Sequence, residues 1–241
     1  MNMFGYIGYG PDLGMMVFML PGILLGFYAQ MKLRGAYSRY SEVPTHSGIS
    51  GAEAAREILD RAGLSYVPIE AVPGDLTDHY DPTRKALFLS EENYHGRTLS
   101  AIGVAAHEAG HALQHQAAYF PLHFRMTLVP VTNIASALSG IFIMAGFFMH
   151  FFGLIVIGII AFSLTTIFQL VTLPVEFDAS RRAKEQLLGL GIVRGDEEAY
   201  GVKKVLSAAA MTYVAALVTS ALQLLYFVLR FSGMRSSERE S

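Results

Sequence analysis

The chain has 241 residues, 52% of them hydrophobic and 16% charged, with a mean hydropathy of +0.38, which is too apolar for an ordinary water-soluble globule. A formal net charge of −2 supplies no global basic field to hold nucleic acid by counterion release, which argues against nucleic acid as a partner. The absence of cysteine removes disulfides, thiolate zinc sites, iron–sulfur clusters and cysteine nucleophiles, so any bound transition metal must be held by His, Asp or Glu.

The first element is an uncharged stretch from Leu13 to Met31. At about 1.5 Å per residue it is long enough to cross a hydrocarbon core of about 30 Å. Its Pro21 and Gly22 are tolerated better in a spanning helix than in a soluble one. Without a basic flank before it, the stretch reads as a retained anchor (residues 1–31) rather than a cleaved signal peptide.

A polar segment follows over residues 32–125. Within it Ser50-Gly51-Ala52-Glu53 has the form of a helix capping box. Ala55, Ile58, Leu59 and Ala62 then recur at helical spacing, and Gly63 is placed to end the helix. Tyr66, Val67 and Ile69 predict a short strand, Asp75 to Pro82 a turn-rich connection, and Ala86 to Leu89 a second strand. Thr98 to Ala117 reads as a helix again.

That helix contains His107-Glu108-Ala109-Gly110-His111, the His-Glu-x-x-His pattern of a zinc hydrolase. Random order of this composition would produce only roughly 0.014 such windows. Four residues are slightly more than one helical turn, so both imidazoles emerge on one face, about 6 Å apart, and can converge on one Zn2+ ion per chain. Glu108 lies about 100° further round, off the ligand face, in reach of a water that zinc would activate. It is the candidate general base. His115 lies about 12 Å from His107 along the helix axis, too far to share the ion. A third His six residues after His111, as in metzincins, is missing because that position is Ala117.

Residues 126–175 contain no Asp, Glu, Lys or Arg. The run suits two spans, with a hairpin tip at His150 to Gly153. A hairpin returns the chain to the face it left, so Glu176, the first charged residue after the run, becomes the best third ligand, with Asp178 the alternative. Pro174 fits a kink or a helix start. Residues 176–204 form a second polar segment that completes the site. Residues 205–229 form a fourth span rich in small and hydroxyl residues that permit close helix contact, and 230–241 a tail. Fifteen of the 18 Lys and Arg lie in the two polar segments, which places both segments in the cytoplasm of a multi-pass plasma membrane protein. Tyr6, Tyr9, Tyr28, Tyr119 and Tyr226 read as an interfacial aromatic belt. The expected fold class is a mainly α membrane protein, with four transmembrane helices and a small α+β zincin-like cytoplasmic domain.

The chain resembles the bacterial membrane-bound neutral zinc metallopeptidases of the YugP type, relatives in architecture of the HtpX membrane proteases. The resemblance rests on the first anchor, His79-Tyr80-Asp81-Pro82 followed by a strand, His107 to His111 with His115, the apolar hairpin, and Glu176-Phe177-Asp178-Ala179-Ser180. It implies a gluzincin peptidase acting on peptide or protein substrates, membrane proteins among them. In HtpX-like gluzincins the ligand Glu is followed four residues later by an Asp that supports a ligand His. Here that position is Ser180, so Ser180 or a backbone carbonyl is left to orient an imidazole. Zincins bind substrate along a strand edge, which points to Lys85 to Ser90, with His79, Tyr80, Arg181 or Arg182 near the oxyanion. The plainer reading puts His79 and Tyr80 in a turn and makes Arg181 and Arg182 interfacial charges. Two other functions fit the same residues. One is an intramembrane zinc protease, since Glu108 is the only charged residue between Arg97 and Arg125. The other is a noncatalytic membrane scaffold with a structural zinc site, which would need no general base.

Overall fold

The computed structural model describes residues 13–240, with side chains over 14–230. Tyr6 and Tyr9, and the side chains of the carboxyl-terminal tail beyond Arg230, lie outside the described residues. In chain order the elements are α1 (Leu13–Ser41), α2 (Gly51–Arg61), β1 (Ile69–Val72), β2 (His79–Asp81), β3 (Ala86–Ser90), α3 (Glu91–His95), α4 (Leu99–Gln116), α5 (Phe120–Phe148), α6 (Phe152–Gly189) and α7 (Gly195–Glu240). This is a mainly α membrane protein with one small sheet. Among the described residues four helices are long and apolar enough to cross a bilayer: Gly14–Ser41, Phe120–Phe148, Phe152–Gly189 and Gly195–Arg230. All four exceed the spans expected from hydropathy, because each helix continues into polar sequence. Thus α6 passes through Pro174 without ending, and α7 runs unbroken past 205 and 230.

The chain divides into two compact units. One takes the residues up to Tyr28, Arg125–Val171 and those from Val214 on. Its outward side chains are large and apolar, among them Met16, Phe27, Ile134, Ile141 and Ile160, as a helix surface in lipid requires. Its inner contacts are made by small residues. A Cβ on Gly158 would stand 2.6 Å from Ile143 Cγ1 and 2.9 Å from the Ile143 nitrogen, and one on Gly146 would stand 2.8 Å from the Ile155 nitrogen. Thr219 Oγ1 donates to the Gly22 carbonyl at 3.2 Å, tying α7 to α1. Such close approach replaces the hydrophobic drive that lipid removes.

The other unit, Ala29–Phe124 with Thr172–Tyr213, is built around α4. This helix is buried on nearly every side, with Leu99, Ile102, Ala105, Ala106, Ala109 and Ala112 in a core that also holds Ile58, Leu59, Leu87, Leu89, Leu187 and Val202. α2 starts at the expected capping box: Ser50 Oγ accepts from the Glu53 amide at 3.2 Å, and Glu53 Oε2 accepts from the Ser50 amide at 2.6 Å. Gly63 takes φ +73 just past its end.

The sheet corrects three expectations. Its order is β1-β3-β2, with β1 parallel and β2 antiparallel to β3. β3 is therefore the central strand, paired on both sides and wholly buried, and Lys85 to Ser90 offers no free edge to a peptide. The turn-rich connection expected over Asp75 to Pro82 contains the strand β2. Its polar sequence hid it, and side chains at both ends hold it in place. Asp78 accepts from the Ser90 amide at 2.8 Å and from Asn93 Nδ2 at 2.9 Å. Asp81 Oδ1 accepts from the amides of Thr83 and Arg84 at 2.7 and 3.0 Å, closing an Asx turn into β3. The first strand begins at Ile69 and not at Tyr66, which is exposed.

Replacing Gly158 by Leu should force α5 and α6 apart, an overpacking worth about 1–3 kcal/mol. Gly140→Leu, where an added Cβ meets nothing within 4 Å, is the matched control. A lower thermal midpoint in detergent for Gly158→Leu alone is expected, and equal midpoints would refute the close contact.

Candidate metal centre

Two helices far apart in sequence bring the site together. On α4, capped by Thr98 Oγ1 accepting from the Ala101 amide, His107 and His111 lie one turn apart, their rings edge to face with centroids 4.8 Å from each other. On α6, Glu176 is almost fully buried, at 2% exposure. Its Oε2 lies 3.2 Å from His107 Nε2 and 3.7 Å from His111 Nε2. One donor atom from each of the three lies within 4.8 Å of the other two.

The approach is possible because of Gly110. A Cβ at this position would stand 2.6 Å from the Ala179 carbonyl oxygen and 3.3 Å from its Cα, so α4 and α6 meet backbone to backbone between the two imidazoles. The glycine that weakens the helix by about 1 kcal/mol relative to Ala is what lets Glu176 reach the histidines.

The donor set fits zinc. Bonds of about 2.0–2.2 Å in a tetrahedral site put ligand atoms about 3.3–3.6 Å apart, close to the 3.2 and 3.7 Å found here. The outer nitrogens are engaged as well. His107 Nδ1 lies 3.1 Å from Ser180 Oγ, and His111 Nδ1 lies 3.0 Å from Gln114 Oε1. Both rings therefore turn Nε2 inward. Burial works against a charged His111, but Glu176 and Glu108 outweigh it and raise its pKa above the ordinary imidazole value. Glu108 itself is buried, and its carboxylate makes no hydrogen bond among the described residues.

The remaining candidates sit elsewhere. Asp178 does not join the three donors: its carboxylate is held by Arg181, by Arg182 Nε at 2.6 Å and by Gln114 Nε2 at 3.0 Å. Arg181 also binds both oxygens of Glu185 at 2.8 Å. Both arginines thus pair with acids on their own helix. His79 stacks on Phe88 and bonds the Thr77 carbonyl at 2.8 Å. Tyr80 OH pairs with His115 Nδ1 at 2.9 Å. Burial, with Tyr66 and Asp81 adding to it, pushes the Tyr80 phenol up to about 12, while burial together with His123 and Lys85 lowers the pKa of His115. Both are neutral near pH 7.

One participant escaped sequence reasoning. Gln114 is fully buried and touches His111, Val175 and Asp178. Its only signal was its position three residues after His111, on the same helix face.

A family model described as "putative neutral zinc metallopeptidase" matches residues 15–232. The chain is also similar to the "putative membrane protease YugP" of Bacillus subtilis (strain 168), with 52% identity over 211 residues, covering 88% of this chain and 93% of the relative. No solved structure matches.

Gly110→Ala should part the helices at the ligands. Elemental analysis of the purified variant is expected to show far less than the wild type's zinc, with helical content by circular dichroism unchanged. Full zinc in the variant would mean that the contact is dispensable.

Proposed function

The chain belongs to this family, and from that premise we propose that it is a membrane-anchored endopeptidase using one Zn2+ per chain, with Glu108 as general base. The observation that carries the reading is the convergence of His107, His111 and Glu176 on one point, with the buried Glu108 on the same helix making no side-chain hydrogen bond among the described residues. Among the described residues this group has three members. A structural zinc site takes four protein ligands, whereas a catalytic one keeps a position open. This favours a peptidase over a scaffold.

When bound, zinc supplies Lewis acidity that acidifies water and polarises a carbonyl. His107 and His111 present neutral Nε2 atoms and Glu176 a carboxylate oxygen. Ser180 and Gln114 hold the two rings from behind. Glu108, about 100° round the helix from His107, takes a proton from the attacking water at its carboxylate and returns it to the leaving amine nitrogen. The edge open to a peptide is β2. It packs on α4 through Tyr80 and His115, whereas β1 packs against α2 and α3. A neutral Tyr80 can donate a hydrogen bond to substrate if its pairing with His115 opens. Substrates are peptide or protein segments, membrane proteins included, presented at the cytoplasmic face of the bacterial plasma membrane. The excess of Lys and Arg in the site-bearing segments supports that side.

A second reading is an intramembrane protease. It is favoured by α6, which runs without a break from the apolar sequence into Glu176.

Glu108→Gln is expected to keep zinc but lose at least about 100-fold in turnover, and Glu176→Ala to lose zinc and activity together. Normal turnover by Glu108→Gln would end the general-base assignment. Cleavage sites mapped by mass spectrometry only inside apolar segments would favour the second reading.

Because the chain has no native cysteine, single thiols report topology cleanly. Thr77→Cys should react with an impermeant maleimide only after the cells are opened, and Met149→Cys should react in intact cells. The reverse pattern would invert the orientation.

A further inference from the structure

We propose that Gln114 is a positioning residue that fixes which nitrogen of His111 carries the proton and ties that choice to the placement of Glu176. The inference rests on the zinc site proposed above and extends it by a residue outside the motif.

The argument starts from donors and acceptors. Gln114 Nε2 lies 2.7 Å from the Val175 carbonyl oxygen and 3.0 Å from Asp178 Oδ2. Both of these atoms can only accept, so the amide NH2 must face them. The amide oxygen must then face His111 Nδ1, at 3.0 Å, and that nitrogen must donate. His111 is thereby held in the tautomer whose Nε2 lone pair points at Glu176 Oε2. Turning the amide over would set NH2 against N–H and oxygen against two oxygens, spoiling all three contacts in a fully buried position.

The amide's partners give the arrangement its reach. Val175 and Asp178 flank Glu176 on α6, so Gln114 grips that helix on both sides of the third ligand. Asp178 is itself held by Arg182 Nε at 2.6 Å and by Arg181, so it cannot swing away to leave the amide unpaired. His111 and Glu176 are therefore registered to each other through one side chain. The partner of this imidazole is a neutral amide, where metal-binding histidines commonly use a carboxylate or a backbone carbonyl. A carboxylate at 114 would face the Val175 carbonyl and the Asp178 carboxylate, so the neighbourhood selects for the amide.

The test uses the full chain in detergent. Gln114→Met keeps the volume and flexibility of the side chain while removing both hydrogen-bonding ends. Asp178 retains its arginines, and the orphaned group of the site is His111 Nδ1–H. We expect zinc affinity, measured by chelator competition, to weaken by about 10–100-fold and the visible spectrum of the cobalt-substituted protein to change, with the thermal midpoint of the metal-free protein close to wild type. If Gln114 only fills space, Gln114→Met will bind zinc with wild-type affinity and give a wild-type cobalt spectrum, and the proposal falls. Gln114→Glu is the second variant, keeping the shape and the acceptor toward His111 while spoiling the contacts to α6. It should also bind zinc more weakly, and wild-type affinity would overturn the proposed grip on α6. Glu176→Ala in the same assay separates the two levels. If it binds zinc as the wild type does, the metal site proposed above is wrong and this inference goes with it. If it loses zinc while both Gln114 variants keep theirs, the site stands and the inference alone is refuted.

Discussion

Everything at the candidate centre depends on two backbones touching at Gly110 and Ala179. His107 and Glu176 are 69 residues apart, and the close contact at Gly110 sets α4 against α6 where His107 Nε2 and Glu176 Oε2 stand 3.2 Å from each other. α4 accommodates the contact by being thin. Ala105, Ala106, Ala109 and Ala112 cover its other faces, so it can be enclosed by the sheet and by helices without pushing any of them away. The motif and the alanines around it thus belong to one design: the reactive residues supply the chemistry, and the small ones let a second chain segment come near.

The electrostatics of the cluster follow from that proximity. Two imidazole lone pairs and a carboxylate aimed at one small volume repel each other unless a cation or a proton lies among them. The raised pKa of His111 expresses this preference in protonic form. Burying Glu176 without partners would cost several kcal/mol, and the surrounding groups remove that cost only while both rings keep Nε2 turned inward. The groups behind the rings, Ser180 and Gln114, meet the two Nδ1 atoms in that orientation.

How far the sequence could be read varied with the range of the interaction. The cap at Ser50 and Glu53, the stop at Gly63 and the ends of α4 are set by residues within one turn, and their spacing was enough to find them. Glu176 was reachable across a long interval because a hairpin of two spans must return, a topological constraint that composition reveals. β2 was not legible. His79, Tyr80 and Asp81 carry no alternating apolar pattern, and their strand is held at one end by Asp78, which bonds Ser90 of β3, and at the other by Asp81, which closes the turn leading into β3. The misplaced edge followed directly: Lys85 to Ser90 looked like a strand edge open to a partner, and the unseen strand occupies that side. Gln114 was hidden for a related reason, since its role is defined by the Val175 carbonyl and the Asp178 carboxylate, groups on another helix.

The brevity of the outer strand bears on how a peptidase docking its substrate there, as proposed above, would choose what to cut. β2 has three residues, so a chain laid along it gains only a couple of main-chain hydrogen bonds, each worth about 0.5–1.5 kcal/mol net. Docking on that scale discriminates poorly between sequences and holds nothing for long. For substrates held in the same membrane, confinement to a shared two-dimensional surface would compensate, because it raises effective concentration without any new contact. Selectivity would then be governed less by the letters of a recognition motif than by which unfolded segments spend time next to the same bilayer.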